Sequence, residues 1–230
     1  MRRYLKIHRY PNFLWRTARS FFESTKGAIF FYKKFLLSKK FYRLTKQKSK
    51  ELFPYYKKYC SEVSGDYMAI SFELAVFILV LCEILKPKSI LDLGSGFSSF
   101  VFRYYKKNAE SNPTVWSLDD NSEWLKKTKN YLNDQRLSTE NMAVWYPGFL
   151  KNNNQKFDFV SHDLGNMALR KEAFREVLES MDINGVVILD DIHKYDTFVK
   201  NFMSKYNYEY YNLKYYTKDK FGRYSVLVTH

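Results

Sequence analysis

The sequence predicts an α/β fold: a seven-stranded, mostly parallel sheet with helices on both faces, a C-terminal antiparallel hairpin and a basic helical segment in front. Three observations predict it. From residue 67 onward, short apolar runs alternate with amphipathic, helix-spaced ones. The first apolar run exits into glycine, at Gly94 and Gly96. The last two runs are joined by the short turn Lys218–Gly222, which makes them antiparallel neighbours.

Along the chain, residues 12–25 and 28–42 read as two basic helices parted at Gly27. Leu14, Ala18 and Phe21, then Ala28, Phe31 and Phe35, recur at helical spacing. Pro11 suits the start of the first. A third basic segment, about 44–60, is expected to break at Pro54. A strongly apolar helix follows at about 67–86, with Glu73 and Glu83 marking it as amphipathic rather than bilayer-spanning.

The alternation then begins. The strand 89–94 leads to a helix at about 98–108, a strand at 114–118 and a helix at about 121–133. Strands at about 141–146 and 157–162, a helix at about 168–181 and the strand 185–189 come next. A helix at about 195–205 precedes the closing strands, about 207–216 and 223–229.

Charge divides the 230 residues unevenly. Residues 1–60 hold 17 Lys and Arg against two acids, Glu23 and Glu51, while the remainder holds 21 bases and 22 acids. The net charge of +14 therefore belongs to the first quarter. Residues 1–60 are read as a basic, aromatic-rich arm and 61–230 as the main domain. Cys60 and Cys82 lie in no CxxC pair, so no zinc or redox motif is visible. No apolar stretch of secretory-signal length follows the basic start, so a cytoplasmic protein, peripheral at a membrane through its arm, is expected.

In parallel sheets a ligand sits at the carboxyl ends of the strands, which directs attention to Asp92-Leu93-Gly94-Ser95-Gly96-Phe97-Ser98-Ser99. Two glycines permit a tight turn with close backbone approach, and the next helix offers free N–H groups. A dinucleotide site would want a third glycine where Ser99 stands. DLGSG after a strand resembles the first motif of the class I S-adenosylmethionine-dependent methyltransferases, a Rossmann-like family, with the match extending over about 67–230. The resemblance implies S-adenosylmethionine as cofactor, held by Asp92, Gly94, Ser95, Gly96 and Ser98. It places the cofactor ribose on Asp119, at the end of the second strand. Asp120 is counted with this site, or with Asn121 as the cap of the next helix. Trp145–Phe149, after the third strand, is a candidate wall for the adenine.

The fourth strand ends in Asp163 and the fifth in Asp190 and Asp191, with His193 just beyond. Three acids opening on one crevice repel unless a cation is present, and a hard divalent ion such as Mg2+ would resolve this. The layout resembles the metal-dependent catechol-type O-methyltransferases, which implies Asp163, Asp190 and Asp191 as metal ligands and Asp163 as a residue of the cofactor and catalytic site. The lysine base of that branch is missing: Leu164, Gly165 and Asn166 follow Asp163. His193 is the nearest candidate base, since imidazole titrates where a hydroxyl proton is usefully taken.

Other chemistries find less support. No Asp/Asn-Pro-Pro-aromatic segment is present, and neither cysteine lies at a strand end. The expected acceptor is thus a hydroxyl of a small molecule, a glycan or a lipid-linked compound. The alternatives are a non-catalytic module of the same fold and aminopropyl transfer from a decarboxylated cofactor. For the arm, an anionic membrane surface is preferred over nucleic acid, beside simple packing on the main domain or on a second subunit in a homodimer.

Overall fold

The computed structural model describes residues 38–206 and 208–229. The expected helix at 12–25 and residues 28–37 of the one expected at 28–42 therefore lie outside the described residues; residues 39–42 belong to a longer helix continuous with the expected third segment. Ser38 accepts from the Phe41 N–H at 3.0 Å and caps α1 (Lys39–Glu62). α1 runs through Pro54 without the expected break. Proline removes one N–H, but burial of Phe41, Leu52, Tyr56 and Tyr59 along one face holds the helix on both sides of it.

α2 (Phe72–Leu85) is capped by Ser71, whose hydroxyl accepts from the Leu74 N–H at 3.0 Å. It is not the amphipathic surface helix its glutamates suggested: ten consecutive-face residues from Phe72 to Cys82 are buried, because α1 covers the side turned away from the sheet. Glu83 is instead paired with Lys48 of α1 at 3.0 Å.

The expected alternation follows: β1 (Ser89–Leu93), α3 (Phe97–Asn108), β2 (Thr114–Asp119), α4 (Ser122–Asp134), β3 (Met142–Val144), the short α5 (Phe149–Asn153), β4 (Phe157–His162), α6 (Met167–Glu179) and β5 (Met181–Leu189). A 3-10 turn (Ile192–Lys194), α7 (Asp196–Tyr206), β6 (Glu209–Asn212), α8 (Lys214–Thr217) and β7 (Val226–Thr229) complete the chain. The strand expected over 207–216 is cut short by α8, whose Thr217 N–H returns to the Leu213 carbonyl at 3.0 Å.

The seven strands are ordered β3-β2-β1-β4-β5-β7-β6. The first five in that order are parallel; β7 runs antiparallel to both β5 and β6. β7 thus fills the place between β5 and β6, and β6 is the edge. Order reverses beside β1, where the crossover to β2 goes one way and that to β4 the other.

Strand alternation sends Ile90, Phe159, Ile188 and Leu227 to one face, beneath α1, α2 and α3. Leu91, Leu93, Val160, Val187 and Val228 go to the other, beneath α6 and α7. Among the described residues no helix is long and apolar enough to cross a membrane.

Candidate active site

The glycine turn sits at the carboxyl end of β1, at the order reversal. Gly94 has φ +94°, a left-handed conformation that favours glycine. A Cβ there would stand 2.6 Å from the Asp163 carbonyl carbon, so the turn after β1 lies directly against the end of β4. Gly94 donates its N–H to the Leu118 carbonyl of β2 at 2.8 Å. Gly96 caps α3, and its N–H meets the Ser99 hydroxyl at 3.2 Å. Ser98 donates its hydroxyl to the Gly94 carbonyl at 3.3 Å.

Asp119 closes the other side of the turn. Its Oδ2 accepts from the Ser95 N–H at 2.6 Å and the Ser95 hydroxyl at 2.8 Å, and its Oδ1 from the Asn121 N–H at 2.9 Å. Burial pushes this carboxyl up, against the downward pull of those hydrogen bonds. Asp120 is exposed, and its Oδ1 lies 2.7 Å from where a Cβ of Gly165 would be, so the loops after β2 and β4 approach each other across the turn. Capping of α4 falls to Asn121, whose Oδ1 accepts from the Trp124 N–H at 3.0 Å.

Asp92 stands below the turn rather than in it. Alternation along β1 puts it on the same face as Ile90, where it is fully buried. Its Oδ2 accepts from Ser99 at 2.5 Å and Ser117 at 3.0 Å, and Arg103 donates to that Ser117 hydroxyl at 2.7 Å. Burial raises its carboxyl to about 6, while desolvation lowers Arg103 to about 10. Asp92 therefore anchors the start of α3, and no open surface brings it to a ligand.

Two residues that sequence reasoning passed over also hold the turn. Trp124 donates its indole N–H to the Ser95 carbonyl at 2.6 Å. The Tyr59 hydroxyl, from α1, lies 3.3 Å from where a Cβ of Gly96 would be and makes no hydrogen bond. Part of the expected arm is thereby packed on the turn. A tyrosine at i, i+3 and i+7 from Tyr56 and Leu52 was the available signal. In the stretch after β3, Trp145 and Phe149 are core, and Tyr146 is the exposed ring.

The three carboxylates at the ends of β4 and β5 are not gathered around an ion. Among the described residues no three His, Cys, Asp or Glu side chains form a metal-holding group. Asp163 is ion-paired with Arg170 of α6. Asp190 Oδ1 accepts from Ser225 and from the Asp191 N–H, both at 2.8 Å. Asp191 Oδ2 accepts from Lys194 at 2.8 Å. This arrangement does not fit a divalent cation, because the three carboxylates do not converge and the Asp163 carboxylate is already paired with a guanidinium. Burial, with Asp190 and Asp191 nearby, pushes Asp163 up while Arg170 pulls it down. Arg170 was missed in the sequence, although it interrupts the apolar stripe Ala173, Phe174 and Val177 at helical spacing.

His193 is exposed on the 3-10 turn after β5, with its ring centroid 6.2 Å from that of Tyr224. His162, one residue before Asp163, is fully buried, and its Nε2 meets the Arg170 carbonyl at 3.0 Å. Burial lowers it to about 4, which keeps it neutral.

The sequence matches no protein-family model and no curated protein. Its fold does match solved structures. An O-methyltransferase from Bacillus cereus in complex with SAH is similar with a TM-score of 0.59 at 13% identity, covering 90% of this chain and 97% of that one. The O-methyltransferase TomG from Streptomyces achromogenes, in complex with SAM, has a TM-score of 0.57 at 12% identity, covering 90% and 96%. The SAH-bound methyltransferase PaMTH1 of Podospora anserina has a TM-score of 0.56 at 13% identity, covering 89% and 93%. The chain has the fold of these class I methyltransferases.

Proposed function

We propose that the protein transfers a methyl group from S-adenosylmethionine to a hydroxyl oxygen of a small-molecule or glycan acceptor. One observation carries this reading: a left-handed glycine turn at the order reversal, bounded by a buried carboxylate at the end of the neighbouring strand. Asp119 Oδ1 accepts one hydrogen bond from the chain and retains room for a second, from a ribose hydroxyl. Gly94 and Gly96 let the turn pack closely against the Asp163 backbone and the Tyr59 hydroxyl, where a side chain would crowd it. Two of the solved structures named above are complexes with SAM or SAH, which supports this choice of cofactor.

Bound there, the cofactor supplies an electrophilic methyl group on its sulfonium. Asp119 and the Ser95 backbone orient its sugar, and exposed Tyr146 offers a face to its base. Asp120 and Gly165, which meet over the turn, narrow the mouth and help exclude water. Asp163 is committed to Arg170, which leaves His193 as the group to accept the hydroxyl proton.

Calorimetry with S-adenosylhomocysteine tests the reading. The wild type should bind, and Asp119→Ala should bind about tenfold or more weakly, the effect of losing charge-assisted hydrogen bonds. Absence of binding to the wild type would overturn it.

A further inference from the structure

Carboxylates brought together at two strand ends need a counter-charge. The catechol-type resemblance assigns that role to a divalent ion; the chain brings its own. Arg170, in the first turn of α6, is 6% exposed. Its guanidinium pairs with the Asp163 carboxylate, and Nη2 also donates to the Asp163 carbonyl at 3.3 Å. Nη1 donates to the Asp190 carbonyl at 3.3 Å, and Nε to the Leu164 carbonyl at 3.3 Å. One planar group thus links the residues just after β4 to the residue just after β5.

The remaining acids are served separately. Ser225 reaches Asp190 from the start of β7, and Lys194 reaches Asp191 from the 3-10 turn. Of the buried oxygens here, Asp191 Oδ1 makes no hydrogen bond and Asp163 Oδ1 has only its ion pair with Arg170; the three carboxylates do not converge, so these oxygens do not make a site for a hard cation that takes six or more ligands. Against desolvation, Asp163 and the neighbouring acids raise Arg170 above its ordinary value, so the counter-charge is held at neutral pH.

We propose that Arg170 is the resident cation of this end of the sheet, in place of a bound divalent ion. It acts as a positioning residue: it fixes Asp163 and Asp190 relative to each other and so sets the floor of the acceptor side. The assignment of that floor to an acceptor rests on the methyltransferase reading; the cation assignment does not.

The test uses the full chain, with and without S-adenosylhomocysteine, and Mn2+ as the probe. Free Mn2+ is followed by electron paramagnetic resonance and stability by thermal melting with Mn2+, Mg2+ or EDTA. The wild type should leave Mn2+ free and melt at one temperature in all three. Arg170→Met should melt lower and take up Mn2+ saturably, because its acids are then uncompensated. If that variant does not fold, Arg170→Lys, which keeps the charge without the fork, should melt lower and still leave Mn2+ free. Saturable Mn2+ uptake by the wild type with an EDTA-reversible rise in melting temperature overturns the proposal. So does either variant melting at the wild-type temperature. S-adenosylhomocysteine binding in EDTA is read separately: its absence overturns the methyltransferase reading and leaves the cation result standing.

Discussion

Ser95 gives Asp119 two hydrogen bonds at one oxygen, from its N–H at 2.6 Å and its hydroxyl at 2.8 Å. The hydroxyl has a second neighbour, Thr128 Oγ1, at 3.4 Å. With one ribose hydroxyl on Asp119 Oδ1, the other arrives at Oδ2, competes there with the Ser95 hydroxyl and releases it to Thr128. Ser95→Ala should therefore bind S-adenosylhomocysteine a few-fold more tightly in calorimetry. It should lose about 1 kcal/mol of stability, the usual net worth of one hydrogen bond.

Gly94→Ala should abolish binding and destabilise the fold. At φ +94° a side chain is strained by roughly 1–3 kcal/mol, and the Asp163 carbonyl blocks the Cβ in addition. A fall in urea midpoint without a change of slope would show the effect is on stability. A variant as stable as the wild type would place the turn elsewhere.

Asp92 is an acid whose folded value, about 6, lies above its ordinary 3.8. The folded state then holds its proton more tightly than the unfolded chain. Its contribution to stability is greatest below about pH 4 and falls as pH rises through the interval to about 6. The loss amounts to roughly 3 kcal/mol above that interval. Asp92→Asn should flatten this part of the stability profile, measured by urea unfolding between pH 4 and 7.

Arg223 ties two loops at the mouth. It pairs with Asp219 at 2.7 Å and donates to the carbonyls of Asp66, Tyr67 and Ala69 at 3.2, 2.7 and 3.0 Å. Arg223→Ala should open the 63–71 connection to proteolysis. It should leave the affinity for S-adenosylhomocysteine within a few-fold of wild type, because the glycine turn lies on other strands.

His193→Asn should slow methyl transfer by about 10²-fold or more if the imidazole takes the acceptor proton. Cofactor affinity should not change, since His193 is exposed and apart from the turn. Unaltered turnover in a single-turnover assay would remove it from the chemistry.

The sheet was legible because its signals are local. Apolar strands three to nine residues long and a glycine exit each act over a few positions, whereas the expected short final turn is a connection over 213–225 that includes α8. The motif read as a string did not give the depth of Asp92, which is fully buried. Alternation from Ile90 already sent it beneath α3. The lysines of α1 dominate its composition and left packing on the main domain as one of several readings, while Leu52, Tyr56 and Tyr59 occupy one buried face that decides for it over residues 39–62. The Arg170 clamp was hidden for a different reason. Its partners lie on two strands and a loop, and no spacing within the sequence announces that they meet.

β7 is made after β6 yet lies between β6 and β5. As the polypeptide emerges from the ribosome, β5 and β6 cannot find each other directly: β5 waits with unpaired backbone along one side and β6 along both. Until β7 arrives, those adhesive margins stand open to neighbouring nascent chains.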